Sequence, residues 1–243
     1  MYVNIIRYTL LGLFFGTFGT MIGGIIGILI KKISNKFLSF ILSLASGLML
    51  SIVAFELIPD AMEISGIFIS TIGIIMGITT MIICDLCVKS NSNFSNKSSI
   101  LQAGIIISIG LALHNIPEGL AIGTGFESSL KLGISLAITI AIHDVPEGIS
   151  MAIPMKKGGM SSVKVLMFVL ISGLATGAGA FIGAIIGSVS EEIIAICLSF
   201  AAGAMLYVVS GELIPEYSKL YIGKWSIGGN IVGFILGLIA SQV

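Results

Sequence analysis

The chain has 243 residues, of which 56% are hydrophobic and only 10% charged, with a mean hydropathy of +1.13. Soluble domains carry about 25% charged residues, so the missing charge is missing from a surface that faces lipid, and a soluble domain is excluded. Twelve basic residues balance twelve acidic ones, which leaves no cationic face for nucleic acid.

A helix needs about 20 apolar residues to cross the hydrocarbon core. In chain order, eight stretches meet that requirement: 5–30, 37–59, 66–88, 100–123, 130–154, 164–188, 192–214 and 226–242. The first is too long for the apolar region of a cleavable signal and long enough to span, so it is expected to be a transmembrane helix. Charged or turn-forming residues separate the stretches: Lys31-Lys32, Asp60 and Glu63, Lys89 to Lys97, Glu127 and Lys131, Lys156-Lys157-Gly158-Gly159, Glu191-Glu192, and Glu216 to Lys224. The expected fold is an all-α, polytopic integral membrane protein, a single transmembrane domain over 1–243 with eight spans.

The longest loop, Lys89 to Ser99, is rich in Ser and Asn and is expected to be flexible; it holds no His that could collect metal. The loops after spans one, three and five hold Lys31, Lys32, Lys36, Lys89, Lys97, Lys156, Lys157 and Lys164, against Arg7, Lys131, Lys219 and Lys224 assigned to the other side. That excess places the first set in the cytoplasm and both termini outside a cell membrane. Glycines recur every four residues at Gly19, Gly23 and Gly27 and at Gly179, Gly183 and Gly187. Such stripes let backbones approach closely, either as ordinary tight packing or as a sliding surface. Cys84 and Cys87 form one C-x-x-C, a weak metal signal without a second pair.

The chemistry lies in spans four and five. The chain's two histidines each open the same pattern, His114-Asn115-Ile116-Pro117-Glu118-Gly119 and His143-Asp144-Val145-Pro146-Glu147-Gly148, 29 positions apart. One helix and a short loop separate them, so the two spans are antiparallel neighbours. Ionisable groups inside a bilayer are costly and mark a pathway or site. His114 and Glu118 share a helix face at i, i+4, as do His143 and Glu147. Asn115 and Asp144 lie one position round. Burying three carboxylates together calls for a cation, and imidazole with carboxylate suits zinc, iron or manganese. Pro117 and Pro146 cannot donate to the carbonyls of Leu113 and Ile142, which predicts kinks and freed carbonyls at the crevice. The structural alternative, polar glue between helices, normally uses Ser, Thr, Asn or Gln rather than paired carboxylates.

A second repeat pairs Gly47-Leu48-Met49-Leu50 and Glu56-Leu57-Ile58-Pro59 with Gly203-Ala204-Met205-Leu206 and Glu212-Leu213-Ile214-Pro215, 156 positions on. Spans two and seven run in opposite directions in this topology, the plan of an inverted-repeat transporter. Glu56 and Glu212 read as solvated helix ends, or as a pathway at an entrance or exit. Met49 reads as packing on residue type alone.

On these motifs the chain resembles the ZIP family of divalent metal transporters, most closely its bacterial members, over all eight spans. The resemblance implies that spans four and five carry the ion, that a helical bundle moves in an elevator-like cycle, and that metal is delivered to the cytoplasm. It implies His114, Glu118, His143 and Glu147 as core ligands and Met49 as a thioether ligand of the first site. Asn115 and Asp144, with Glu118 and Glu147 bridging, would form an adjacent second site. Relatives often read Ser-Gly-Leu-x-Glu-Pro-x-Gly-Ala in span six, where the chain has Ser172-Gly173-Leu174-Ala175-Thr176-Gly177-Ala178-Gly179-Ala180. Thr176 in place of that Glu implies a weak or absent second site. No cofactor is implied; Zn²⁺, or else Fe²⁺, Mn²⁺ or Cd²⁺, is the transported substrate, and a homodimer is an open expectation. Two other classes compete: an intramembrane metal-dependent hydrolase, which lacks an H-E-x-x-H, and an ion channel using the same carboxylates.

Overall fold

The computed structural model describes residues 2–30, 34–91 and 99–241. Lys31, Lys32 and the centre of the Ser/Asn-rich loop, 92–98 with Lys97, lie outside the described residues. Every regular element among the described residues is helical: α1 (Tyr2–Leu29), α2 (Asn35–Ile52), α3 (Ile58–Asn91), α4 (Ser99–Ser128), α5 (Leu130–Lys157), α6 (Ser162–Gly187), α7 (Glu191–Val208), α8 (Ile214–Leu220) and α9 (Lys224–Ala240). A lipid environment favours this outcome, because a helix satisfies its backbone groups within one segment. Among the described residues, five runs are long and apolar enough to cross a membrane: α1, 35–87, α5, α6 and 191–220. Helix ends are set by local chemistry. Ser34, Ser129 and Ser190 accept from the amides of Phe37, Leu132 and Ile193, and Lys156 and Lys157 lie in the last turn of α5, where the helix dipole favours cations.

The expected break at Asp60 and Glu63 falls instead at Gly66, the position with φ +74° and ψ 172° inside α3. Only glycine adopts that backbone cheaply, whereas acidic residues near a helix end are tolerated within it. Prolines act differently at different places. α4 and α5 continue as α-helix on both sides of Pro117 and Pro146. Ahead of Pro59 and Pro215, by contrast, the chain widens into single π-turns, Val53–Leu57 and Val209–Leu213. Each is closed by an amide reaching back five residues, Ile58 to Val53 and Ile214 to Val209, which accommodates the missing proline donor.

The helices sort into two bundles. α1, α4, α5 and α6 pack chiefly on one another; α3 packs on α7 and α2 on α9. The glycine stripes lie inside these bundles. A Cβ at Gly23 would fall on the carbonyl oxygen of Val145, and one at Gly27 would lie 2.6 Å from Cβ of Ala152. Gly179 and Gly183 likewise meet the carbonyls of Ile116 and Leu120. Tight packing is therefore their role, and the sliding-surface alternative is not supported. The boundary between bundles, where α4 faces α7 and α2 faces α5, is an apolar cluster that includes Met49, Val53, Ile122, Leu136, Ile140 and Met205.

The assignment of Lys219 and Lys224 to the side of Arg7 and Lys131, opposite Lys36 and Lys157, is overturned. The Lys36 ammonium lies 5.4 Å from the Tyr221 ring, the hydroxyl of Ser39 donates to the carbonyls of Tyr217 and Tyr221 at 2.9 Å each, and Lys219 lines the same cavity as Lys157. The loop between α8 and α9 thus sits beside the start of α2. In the expected eight-span order, too, that loop falls with the first, third and fifth rather than opposite them. At the other end, Tyr8 stacks on Phe126 at 5.0 Å, which places Arg7 near the α4–α5 turn with Lys131.

Candidate metal centre

α4 and α5 run antiparallel: Gly104 and Ser108 lie against Met155 at one end, and Gly125 lies against Gly133 and Leu136 at the other. This brings the two motifs to one level. His114, Glu118, His143 and Glu147 converge so that one ligand atom from each lies within 4.8 Å of all the others, and all four are buried. His114 Nε2 stands 3.0 Å from Glu118 Oε1 and 3.3 Å from Glu147 Oε1. His143 Nε2 is 2.7 Å from Glu118 Oε1. Zinc–nitrogen and zinc–oxygen bonds of about 2.1 Å in tetrahedral array put neighbouring ligand atoms about 3.4 Å apart. The observed spacings therefore bracket those of a coordination shell, and the shortest is also a hydrogen bond between imidazole and carboxylate.

The donor set is poorly satisfied by the protein itself. Glu118 Oε2, both oxygens of Glu147, both oxygens of Asp144 and Nδ1 of each histidine are buried without a hydrogen-bond partner. Desolvating a charge costs several kcal/mol even after relaxation, roughly the scale seen for buried ions, and the carboxylates of Glu118, Asp144 and Glu147 are buried together. A divalent cation among them would neutralise two charges and engage the orphaned oxygens, so the residues fit such an ion.

The adjacent residues divide. Asp144 Oδ1 is 3.6 Å from His143 Nε2. The Asn115 amide nitrogen donates to the Ser172 carbonyl at 3.0 Å and to its hydroxyl at 3.2 Å. A carbonyl can only accept, so the amide orientation is fixed, and Asn115 Oδ1 is left buried without a partner. Thr176 is fully buried on α6, packed against α1 at Gly16, and its hydroxyl is likewise unpartnered. Met49 is fully buried on α2 in the apolar cluster between the bundles.

Glu56 and Glu212 are not part of the central group. Glu56 is only 5% exposed, and Ser135 of α5 donates to its Oε1 at 2.6 Å, so it is not a solvated helix end. Glu212, on the matching π-turn, lines a cavity of about 720 Å³ between the bundles with Asp85, Ser150, Lys157, Glu216 and Lys219. Leu113, whose carbonyl loses its donor at Pro117, lines the same cavity. The Tyr207 hydroxyl donates to Asp85 at 3.0 Å. Cys84 and Cys87 carry free thiols. Ser135 and Ser172 are partners that periodicity alone misses, since each meets its carboxyl or amide across helices far apart in sequence.

The fold and site define a multi-pass helical membrane protein with a buried imidazole–carboxylate centre. Residues 87–239 match the family described as ZIP zinc transporter. The chain is 31% identical to a zinc transporter, ZupT, of Corynebacterium glutamicum, with 94% of each chain covered. It is 32% identical to ZupT of Akkermansia muciniphila, covering 89% of this chain and 90% of that one. It is also 37% identical to the zinc transporter ZIP11 of Xenopus tropicalis, over 54% of this chain and 41% of that one. The protein belongs to the ZIP family. This is a family of transporters, so the hydrolase alternative falls away.

Proposed function

We propose that the protein carries divalent metal ions, Zn²⁺ foremost, across the cell membrane to the cytoplasm through the centre formed by His114, Glu118, His143 and Glu147. The observation that carries this reading is the convergence of those four buried side chains on one point, with their remaining oxygens unpartnered. The names of the relatives supply the metal. Met49 is proposed as a further soft ligand that reaches the ion from α2 when the bundles shift. Asn115, Asp144 and Thr176 form a second position that holds metal weakly, because a hydroxyl stands where a carboxylate would serve.

Eight crossings with inverted-repeat architecture are part of the proposal. The close-packed glycine pairs support the count: numbering rises together along α1 with α5, α4 with α6, α2 with α9 and α3 with α7, so these pairs run parallel. The two π-turns, 156 positions apart, support the repeat. An elevator-type motion is supported by the contrast between glycine-locked contacts within bundles and the Leu, Ile and Met surface between them. The distribution of basic residues supports both termini outside. Glu212 belongs to the cytoplasmic pathway, Glu56 to the outer one. A homodimer is carried forward as the assembly, to be checked by cross-linking in membranes.

Purified protein in liposomes should take up zinc in a saturable manner, with Fe²⁺, Mn²⁺ and Cd²⁺ competing to graded extents. Uptake that rises linearly with zinc concentration and shows no competition would point to a channel instead.

A further inference from the structure

The outer mouth holds a hydrogen bond that crosses between the bundles. Glu56 stands on the π-turn after α2, in one bundle, and Ser135 stands on α5, in the other. The Ser135 hydroxyl is 2.6 Å from Glu56 Oε1 and 3.4 Å from the carbonyl of Ala240 at the end of α9. Glu56 Oε2 is buried without a partner. At the opposite end the bundles are parted by the 720 Å³ cavity; at this end a smaller cavity of about 520 Å³ runs along α5 past Ser135 to Ala240, but Glu56 and Val53 behind the contact are buried, so the contact closes the way past them. We propose that Glu56 and Ser135 form an outer latch: their hydrogen bond holds α5 against α2 while the cytoplasmic side is open, and it must break for the outer mouth to open.

The chemistry explains why such a bond would be felt. A carboxyl 95% removed from solvent needs a donor, and the hydroxyl of Ser135 is the donor that the moving bundle supplies. Separation of the bundles would trade that donor for water, so the latch closes the mouth without locking it. The inner mouth is built differently. The repeat maps Glu56 onto Glu212, and the motif offset maps Ser135 onto position 106, an isoleucine with no hydroxyl. Glu212 faces α4 at Gly110, where a Cβ would lie 3.7 Å from its Oε2. The residue that matches Ser135 at the inner mouth thus carries no hydroxyl to donate.

This inference rests on the bundle movement proposed above. The test places one cysteine at Val53, buried one turn inward from Glu56, after replacing Cys84, Cys87 and Cys197. Labelling of intact cells with a membrane-impermeant thiol reagent then reports opening of the outer mouth. Ser135→Ala should raise the labelling rate on the order of tenfold, as expected for loss of a hydrogen bond to a charged group, and Ser135→Thr should restore it. Glu56→Ala should match Ser135→Ala, which gives an independent arm if one variant fails to fold. Unchanged labelling in Ser135→Ala and Glu56→Ala, while added zinc still alters labelling of the parent, overturns the latch alone. An equal rise in Ser135→Thr and Ser135→Ala also overturns it, because packing would then be the cause. No response to zinc in any variant overturns the bundle movement, and the latch with it.

Discussion

Thr176 tests how far single side chains set the number of metals carried. Its hydroxyl is buried without a partner close to the Asn115–Ser172 contact on α6. Thr176→Glu is expected to raise bound zinc from about one to about two per chain, read by elemental analysis of purified protein. A ratio that stays the same in both would refute the idea that this position limits the second site. Met49→Ala is expected to weaken zinc or cadmium uptake several-fold by raising KM, since the thioether is asked to act as a ligand, in addition to the roughly 2–5 kcal/mol of stability that emptying a buried site costs. A large loss of stability with unchanged KM would return Met49 to the packing role that its place in the apolar cluster also allows. The central four residues were legible in the sequence because both histidines and their i+4 glutamates sit in apolar stretches, where such groups are rare. Ser135 and Ser172 were not. Serines are common in these helices, and only the fold shows that one meets Glu56 and the other Asn115.

At the scale of helices, the close contacts within a bundle are what glycine makes available. A Cβ at Gly23 would land on the Val145 carbonyl, whereas one at Gly228 meets nothing within 4 Å. Gly23→Ala is therefore expected to destabilise by about 1–3 kcal/mol, the range for overpacking. Gly228→Ala should be neutral or slightly stabilising, because alanine is the better helix former. Thermal denaturation in detergent compares them, and equal midpoints would contradict the packing account. The glycine stripes could be read at a spacing of four, and that spacing favoured tight packing over sliding, but their partners could not be read. The break between spans two and three shows the other limit. Asp60 and Glu63 carry the visible charge, yet the backbone turns at Gly66, where the decisive property is a permitted φ rather than polarity. The π-turns ahead of Pro59 and Pro215 follow the same logic, since proline marks a perturbed turn without saying which form the perturbation takes.

For the whole molecule, the corrected placement of the last loop sharpens the orientation. Lys36, Lys156, Lys157, Lys164, Lys219 and Lys224 lie at one end of the described structure, and Arg7 and Lys131 at the other. Moving Lys219 and Lys224 turns the sequence's eight against four into ten against two, and it predicts a C-terminal reporter active only outside the cytoplasm. A reporter that reads as cytoplasmic contradicts the topology. Helical content and membrane class were plain from composition. The division into two bundles was not, because it depends on which helices pair in space. The central claim is that cations cross through the centre between α4 and α5. Its most direct test is zinc uptake into proteoliposomes by wild type, His114→Ala and Glu118→Ala, each first shown to be folded by its thermal midpoint. The account predicts that both variants lose uptake by at least about tenfold, the penalty expected for removing a metal ligand or its close support. Uptake at the wild-type rate in both folded variants would contradict it.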